Sequence, residues 1–152
     1  MSSTRTSQFV KASPAQVYEA FMDPKILMEW LPPAEMTGVM HEFDGQVGGG
    51  YRMSLHYAAD VTDFAGKTAD HEDQVTSRFL DLEPPHRIVQ ATSFVTDDPA
   101  LKGEMTMITT IEAAPGGSLV TMVFENIPPG LKPEDNDAGA RESLGQLARR
   151  FA

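Results

Sequence analysis

The fold is decided by the C-terminal stretch KPEDNDAGARESLGQLARRFA, residues 132–152. Pro133 suits the first turn of a helix, and acidic side chains follow it at the positive end of the helix dipole. Arg149 and Arg150 lie in the last turn, where positive charge is favoured. Apolar residues recur at helical spacing and form one stripe: Ala140, Leu144, Leu147, Ala148 and Phe151. We therefore expect a long C-terminal helix that packs this stripe on a sheet.

Two short helices are predicted after a first strand at 4–11. Ser13 can cap the first helix, and Gln16 stands where a capping box requires Glu or Gln. Asp23 ends that helix and begins the second, which the two prolines at 32–33 terminate.

Most of the remaining chain alternates with a period of two, which is typical of strands. The cleanest example is Tyr51, Met53, Leu55 and Tyr57, which alternate with polar residues. Strands are predicted over 36–43, 51–57, 67–82, 86–95, 103–113 and 118–126, with a hairpin loop at 58–66. Sequential strands with short turns favour an antiparallel sheet, and helices grouped at the chain ends indicate an α+β fold.

Composition narrows the classes of partner. The 152 residues fit a single domain spanning 1–152, and 22 acidic against 12 basic side chains give a net charge of -10. This charge argues against nucleic acid and anionic membranes as partners. The absence of cysteine excludes disulfides, thiolate metal sites and a cysteine nucleophile. Without a signal peptide or an apolar run of about 18 residues, we expect a cytoplasmic protein with no membrane insertion.

Five stretches carry a family resemblance: SPAQVYEAFMDPKILMEW at 13–30, VGGGYRMSL at 47–55, LEPPHRIV at 82–89, ENIPPGLKPEDNDAG at 125–139 and SLGQLARRF at 143–151. In this order they resemble the START-like (SRPBCC) superfamily. Within it the chain looks like the family named after the activator of the heat-shock protein 90 ATPase, also described as polyketide-cyclase-like. The resemblance implies a helix-grip fold, in which a curved antiparallel sheet of about six to seven strands wraps a long C-terminal helix.

In that superfamily apolar ligands bind between the sheet and the helix. The ligand-binding candidates here are Trp30, Tyr51, Met53, Leu55, His71, Met105, Met107, Met122, Phe124, Leu144 and Leu147. Nine methionines suit a pocket that adapts to apolar guests. The competing interpretation is a filled core in which methionine occupies irregular gaps.

Two kinds of glycine need an explanation. Gly139 and Gly145 lie inside the predicted helix, where glycine costs about 0.5–1 kcal/mol relative to alanine. Close approach of the sheet is the favoured reason, and room for a ligand is the alternative. The glycines at 48–50 lead into a strand and not a helix, so a bend or bulge is favoured over a phosphate loop.

The polar cluster at 70–73 is most simply a solvated strand end. A pair formed by His71 and Asp73 could act as a general base or hold a metal. Two neighbouring side chains that could coordinate a metal do not make a metal site, so we expect neither a metal nor a cofactor. Arg78 and Arg87 are expected to form surface salt bridges rather than to bind a ligand carboxylate.

Three functions remain open. The favoured one is a module that binds an apolar or amphipathic small molecule. The second is a cavity enzyme of polyketide cyclase, hydrolase or dehydratase type, with His71, Asp73 or Tyr51 as the acid or base. It is less favoured because no nucleophile elbow, paired-carboxylate motif or HExxH appears. The third is a cochaperone-like, stress-related protein that regulates a chaperone ATPase. Formation of a homodimer is a further open possibility.

Overall fold

The computed structural model describes residues 2–32, 36–57 and 72–152. The elements along these ranges are β1 (Ser2–Val10), α1 (Pro14–Met22), α2 (Pro24–Trp30), β2 (Met36–Asp44), β3 (Gly50–Tyr57), β4 (Glu72–Glu83), β5 (Arg87–Phe94), β6 (Met105–Ala114), β7 (Gly117–Ile127) and α3 (Pro133–Arg150). The hairpin loop predicted at 58–66 and the beginning of the strand predicted at 67–82 lie outside the described residues.

All seven described strands join one sheet in the order β1-β7-β6-β5-β4-β3-β2. Every neighbouring pair is antiparallel. β1 forms one edge of the sheet, beside β7, and β2 forms the other edge. The segment that contains α1 and α2 therefore connects the two edges. Shifts of register beside Thr4, Met40 and Phe79 interrupt the ladders, and bulges of this kind bend strands. The predicted α+β, helix-grip architecture with a curved antiparallel sheet is confirmed.

The two short helices begin and end where their capping residues predict. The Gln16 backbone N–H donates to Ser13 Oγ at 3.2 Å, and the Ser13 N–H donates to Gln16 Oε1 at 3.0 Å. Asp23 Oδ1 accepts from the Lys25 and Ile26 amides at the start of α2. Each cap satisfies amides that lack a partner within the helix.

The C-terminal helix buries Ala140, Ser143, Leu144 and Leu147 and packs on β1. Ala148 and Phe151, the remaining members of the predicted stripe, are partly buried against the core. Ser143 was not part of that stripe. It is buried because its Oγ donates to the Leu31 carbonyl at 2.6 Å, which ties α3 to the end of α2.

The glycine turn at 48–50 starts β3, as predicted. Gly48 N–H donates to the Phe79 carbonyl and Phe79 N–H donates to the Gly49 carbonyl, both at 2.9 Å. At Gly50 the neighbouring strand is so close that a Cβ would overlap the Ser77 carbonyl oxygen. The turn therefore requires glycine for backbone contact with β4, and the phosphate-loop interpretation has no support.

Candidate functional site

A cavity of about 440 Å³ lies between the concave face of the sheet and α3. Its size falls in the range of about 300–1,000 Å³ that is usual for small-molecule sites. The sheet contributes Tyr51, Met53, Leu55, Asp73, Val75, Thr92, Phe94, Met107, Met122 and Phe124. The opposite wall consists of Gly130, Leu131, Lys132, Asp135, Asn136, Gly139, Ala140 and Ser143, with Leu31, Met36 and Leu101 completing the lining.

Strand register explains why these sheet residues meet. Successive side chains point to opposite faces, so residues paired across a ladder share one face. Met53 pairs with Val75, which pairs with Phe94 on the next strand. Farther across the sheet, Met107 pairs with Phe124. The cavity floor therefore draws apolar side chains from five strands, β3 to β7.

Six of the eleven ligand-binding candidates line this cavity: Tyr51, Met53, Leu55, Met107, Met122 and Phe124. Four others are buried in the core and do not line it, namely Trp30, Met105, Leu144 and Leu147. Trp30 packs edge-on against Phe21 at 4.8 Å between ring centroids, and its Nε1 donates to the Ala20 carbonyl. His71 lies outside the described residues.

The surroundings of Gly139 and Gly145 contradict the expectation that these glycines let the sheet approach α3 closely. A methyl group at Gly139 would meet no described atom within 4 Å, and Gly139 lines the cavity. A methyl group at Gly145 would meet Arg149 Nη1 of the same helix at 3.6 Å, an ordinary contact. Neither glycine is required by an approaching strand. Gly139 instead leaves space open on the cavity side of α3, while nothing in the structure explains Gly145.

One wall carries a buried chain of polar side chains. Gln90 Nε2 donates to the Tyr51 hydroxyl at 3.0 Å and to Ser77 Oγ at 2.8 Å. Ser77 Oγ and Thr92 Oγ1 are 2.9 Å apart and share a further hydrogen bond. Burial of these groups is tolerated because each finds a partner, and the network holds Tyr51 and Thr92 at the cavity surface.

Burial raises the pKa of the Tyr51 hydroxyl above its ordinary value, because the charged phenolate would lose its water. Hydrogen bonds from the side chains of Gln90 and Ser77 offset part of that increase. The hydroxyl therefore stays protonated at neutral pH.

The interpretation of the 70–73 cluster as a solvated strand end is wrong for Asp73, while the side chains at 70–72 lie outside the described ones. The Asp73 side chain is 2% exposed and it lines the cavity, opposite Leu55 in the β3–β4 ladder. The Asp73 side chain points inward because successive strand residues point to opposite faces. Asp73 therefore lies on the same, concave face as Val75, Ser77 and Phe79, at every second position of β4.

The polar wall was missed from sequence. Ser77, Gln90 and Thr92 occupy positions in phase with apolar residues of their strands: Val75 and Phe79 in β4, Ile88 and Phe94 in β5. A polar residue that interrupts an inward-facing series is a signal available in the sequence. Its partners depend on register, which the alternation of one strand does not specify.

Arg78 and Arg87 form surface salt bridges, as expected. Arg78 contacts Glu104 at 3.2 Å, and Arg87 contacts both Asp81 and Glu83 at 3.0 Å. Within the described ranges, His, Asp and Glu side chains nowhere gather in a group of three suited to a metal ion. Over the same ranges, no helix has the length and apolarity needed to cross a membrane.

Solved structures share this architecture along the whole chain. Protein CV1439 from Chromobacterium violaceum is 32% identical, covers 98% of this chain and 96% of its own, and superposes with a TM-score of 0.86. The AHSA1-like protein from Aeromonas hydrophila is 20% identical over 97% of this chain and 90% of its own, with a TM-score of 0.72. Protein Ms6760 from Mycobacterium smegmatis, at 15% identity, covers 99% of this chain and 90% of its own with a TM-score of 0.78.

No curated protein matches the chain. The family described as "Activator of Hsp90 ATPase homolog 1-like protein" matches residues 11–152. The match includes the capped helices α1 and α2, the glycine turn and the whole of α3, which are the stretches that carried the resemblance. The chain therefore belongs to the activator of Hsp90 ATPase homolog 1-like family.

Proposed function

We propose that this protein binds an apolar or amphipathic small molecule in the cavity between the sheet and α3. The observation that carries the proposal is the open, apolar cavity beneath Gly139. A tightly packed core has few voids larger than a water molecule, and this space is far larger. The flexible side chains of Met53, Met107 and Met122 line it and adapt to guests of different shape.

The exposed residues Gly130, Lys132 and Asp135 line one end of the cavity, beside the start of α3. A ligand would enter there and place its apolar body against the methionines and Phe124. The site would operate in the cytoplasm, in keeping with the cysteine-free composition.

Native mass spectrometry of the protein purified from its own host tests the proposal directly. A stoichiometric, extractable small molecule is the expected result. In parallel, the neutral fluorescent probe 1-N-phenylnaphthylamine should bind with one-to-one stoichiometry. Gly139→Leu should weaken probe binding because its side chain occupies part of the cavity, whereas Gly145→Leu, on the same helix outside the lining, should retain it. Absence of probe binding to the wild-type protein, or undiminished binding to Gly139→Leu, would contradict the proposal.

The buried network of Tyr51, Gln90, Ser77 and Thr92, together with Asp73, favours a cavity enzyme as the second candidate. An acid or base works best with a pKa near the operating pH, and the pKa of Tyr51 moves in the opposite direction. Binding without chemistry is therefore preferred. Incubation of the extracted molecule with wild type and Asp73→Asn would decide, since an enzyme converts it and a binder returns it unchanged.

The cochaperone alternative is supported by the family name alone. Its test is stimulation of a chaperone ATPase by the purified protein.

A further inference from the structure

The polar wall of the cavity presents two buried hydroxyl groups to the ligand space. Tyr51 and Thr92 line the cavity, and each is 7% exposed. Ser77 and Gln90 lie behind them, are more deeply buried and do not line the cavity. Register brings the hydroxyls together, because Ser77 pairs with Tyr51 on β3 and with Thr92 on β5. A ligand that touches this wall therefore meets the two cavity hydroxyls, those of Tyr51 and Thr92.

This network holds more donor protons than it can use internally. Gln90 Nε2 carries two N–H groups, which it donates to the Tyr51 and Ser77 oxygens. Three hydroxyl protons remain, one each on Tyr51, Ser77 and Thr92. The 2.9 Å contact between Ser77 and Thr92 takes one of them, and the contact between Ser77 and Tyr51 takes at most one more. At least one hydroxyl proton is therefore left without an acceptor in the network.

The spare proton belongs to one of the two cavity hydroxyls, whichever way the network is oriented. Ser77 already accepts from Gln90, so its two lone pairs leave room for one further donor. If Thr92 is that donor, Ser77 donates to Tyr51 and the Tyr51 proton is spare. If Tyr51 is that donor, Ser77 donates to Thr92 and the Thr92 proton is spare. Either orientation ends on a donor at the cavity surface.

Within the part of the chain that the structure describes, no other group accepts this proton. The hydrogen bonds of the two cavity hydroxyls there are those with Gln90 and Ser77. Asp73 also lines the cavity, but it lies four residues from Ser77 along β4, about 13 Å at the usual rise of a strand. The Tyr51 hydroxyl is directed the other way, toward Gln90, which pairs with Phe79. A buried donor without an acceptor is unfavourable, so a ligand that supplies one gains affinity.

We infer that the ligand is an apolar molecule with a neutral carbonyl group, such as a ketone or an ester, whose oxygen accepts the spare hydroxyl proton of Tyr51 or Thr92. The inference rests on the proposed function and specifies the ligand class for the same cavity. A carbonyl oxygen accepts a hydrogen bond and brings no donor that would need a partner of its own. An ionised acceptor would lose its hydration in this mainly apolar space. The apolar body lies against Met53 and Met107.

Three tricyclic probes of closely similar shape test the inference. Fluorenone carries a carbonyl group, carbazole carries an N–H donor, and fluorene carries neither. Their affinities are measured by displacement of 1-N-phenylnaphthylamine. The wild-type protein is expected to bind fluorenone about tenfold more tightly than fluorene or carbazole, because fluorenone alone gives the buried donor an acceptor.

The double variant Tyr51→Phe/Thr92→Val removes both cavity hydroxyls and should bind fluorenone and fluorene equally within about twofold. Tyr18→Phe/Thr121→Val is the matched control, because it makes the same two chemical changes away from the cavity. Thr121 is buried and its Oγ1 lies 2.8 Å from Ser7 Oγ, but neither Thr121 nor Tyr18 lines the cavity. The control should keep the wild-type preference for fluorenone. Retention of that preference by Tyr51→Phe/Thr92→Val, or its loss in the control, would show that the two cavity hydroxyls are not its source.

Equal affinity of the wild-type protein for fluorenone and fluorene, or a preference for carbazole, would overturn the inference while leaving the proposed function intact. Failure of the fluorescent probe itself to bind would instead reject the proposed function. Should Tyr51→Phe/Thr92→Val fail to fold, infrared spectroscopy of fluorenone bound to the wild-type protein replaces it. The carbonyl stretching frequency is then expected to lie below its value in a hydrocarbon solvent, because a hydrogen bond weakens the C=O bond. A frequency equal to the hydrocarbon value would refute the contact.

Discussion

Residues of the cavity wall show how polar groups are retained inside an apolar fold. The amide of Gln90 uses both of its N–H donors, one on the Tyr51 hydroxyl and one on Ser77. Removal of one partner leaves a buried donor without a partner, which costs more than the net value of the hydrogen bond. Tyr51 is therefore expected to contribute to stability as well as to the cavity surface.

Tyr51→Phe should lower the free energy of unfolding at neutral pH by about 1–3 kcal/mol, the penalty for an unsatisfied buried group. It should also change the response to alkali. The folded-state pKa of Tyr51 is raised, so the unfolded chain releases this proton first as the pH passes the ordinary value of 10.0. The wild-type protein consequently loses stability above that pH, and its stability is fully present below it.

Urea unfolding at about pH 8, 10 and 11, which lie below, at and above the ordinary tyrosine pKa, measures both effects. As the pH rises, the free energy of unfolding of Tyr51→Phe should fall less steeply than that of the wild-type protein. Tyr18→Phe is the comparison variant. Burial also raises the pKa of the half-buried Tyr18 on α1, so this variant too should lose less stability in alkali, but it leaves the hydrogen bonds of Gln90 intact and should not carry the penalty at neutral pH. An alkaline loss as steep in Tyr51→Phe as in wild type would contradict the assignment.

At the scale of elements, α3 is joined to α2 by side chains that satisfy the last carbonyl groups of the shorter helix. Gln146 Nε2 donates to the Trp30 and Pro32 carbonyls, both at 2.7 Å, and Ser143 Oγ donates to the Leu31 carbonyl. Three consecutive carbonyls at the end of α2 thus receive partners from α3. Helix ends need such partners because their carbonyls have none within the helix.

Gln146→Ala is expected to lower the free energy of unfolding by about 1–2 kcal/mol, because two partly buried carbonyls lose their donor. Arg150→Ala is the matched control on the same pair of helices. Arg150 pairs with the exposed Glu29 at 2.9 Å, and such a surface pair contributes at most about 1 kcal/mol. Chemical denaturation compares the two variants, and a larger loss for Arg150→Ala would show that the carbonyl contacts are not what joins the helices.

Gly139→Ala should raise the free energy of unfolding by about 0.5–1 kcal/mol, because the new methyl group meets no described atom and the helix loses its flexible residue. Gly145→Ala should produce a similar gain. Thermal melts of both variants provide the measurement. Destabilisation by Gly139→Ala would mean that the space beside this residue is occupied in solution.

For the whole molecule, the order of strands in the sheet determines how well each strand's backbone amides are protected from exchange with solvent. β1 and β2 lie at the two edges of the sheet and both expose alternate residues. The long helix α3 packs on β1, whereas the short helix α2 packs on β2 with a smaller contact. β6 and β7 lie inside the sheet and contain the fully buried Ile111 and Val120. Local opening is easiest where contacts are few.

Amide hydrogen exchange is therefore expected to be slowest in β6 and β7, intermediate in β1, and fastest among the described strands in β2. Exchange followed by mass spectrometry of peptides from each strand measures this order. Equal protection of β1 and β2 would show either that α3 does not cover its edge in solution or that β2 is covered by another chain.

Much of the fold was predictable because local patterns and global structure agree. The capping box at Ser13, the period-two run from Tyr51 and the apolar stripe around Leu144 each lead to the observed element. The candidate site was harder to predict from the sequence than the fold. Six candidates line the cavity, but Trp30 and Leu144 are packed in the core, because inward orientation alone does not distinguish a cavity wall from filled space.

The sequence by itself determined the order and type of the elements and the concave face of each strand, since these follow from periodicity, caps and turn residues. Tertiary structure alone decided that Asp73 is buried, that Gly139 faces open space and that Gln90 joins Tyr51 to Ser77. Each depends on which strands are neighbours, on their register and on the distance between sheet and helix. Those quantities arise from packing residues far apart in the chain, so no local pattern contains them.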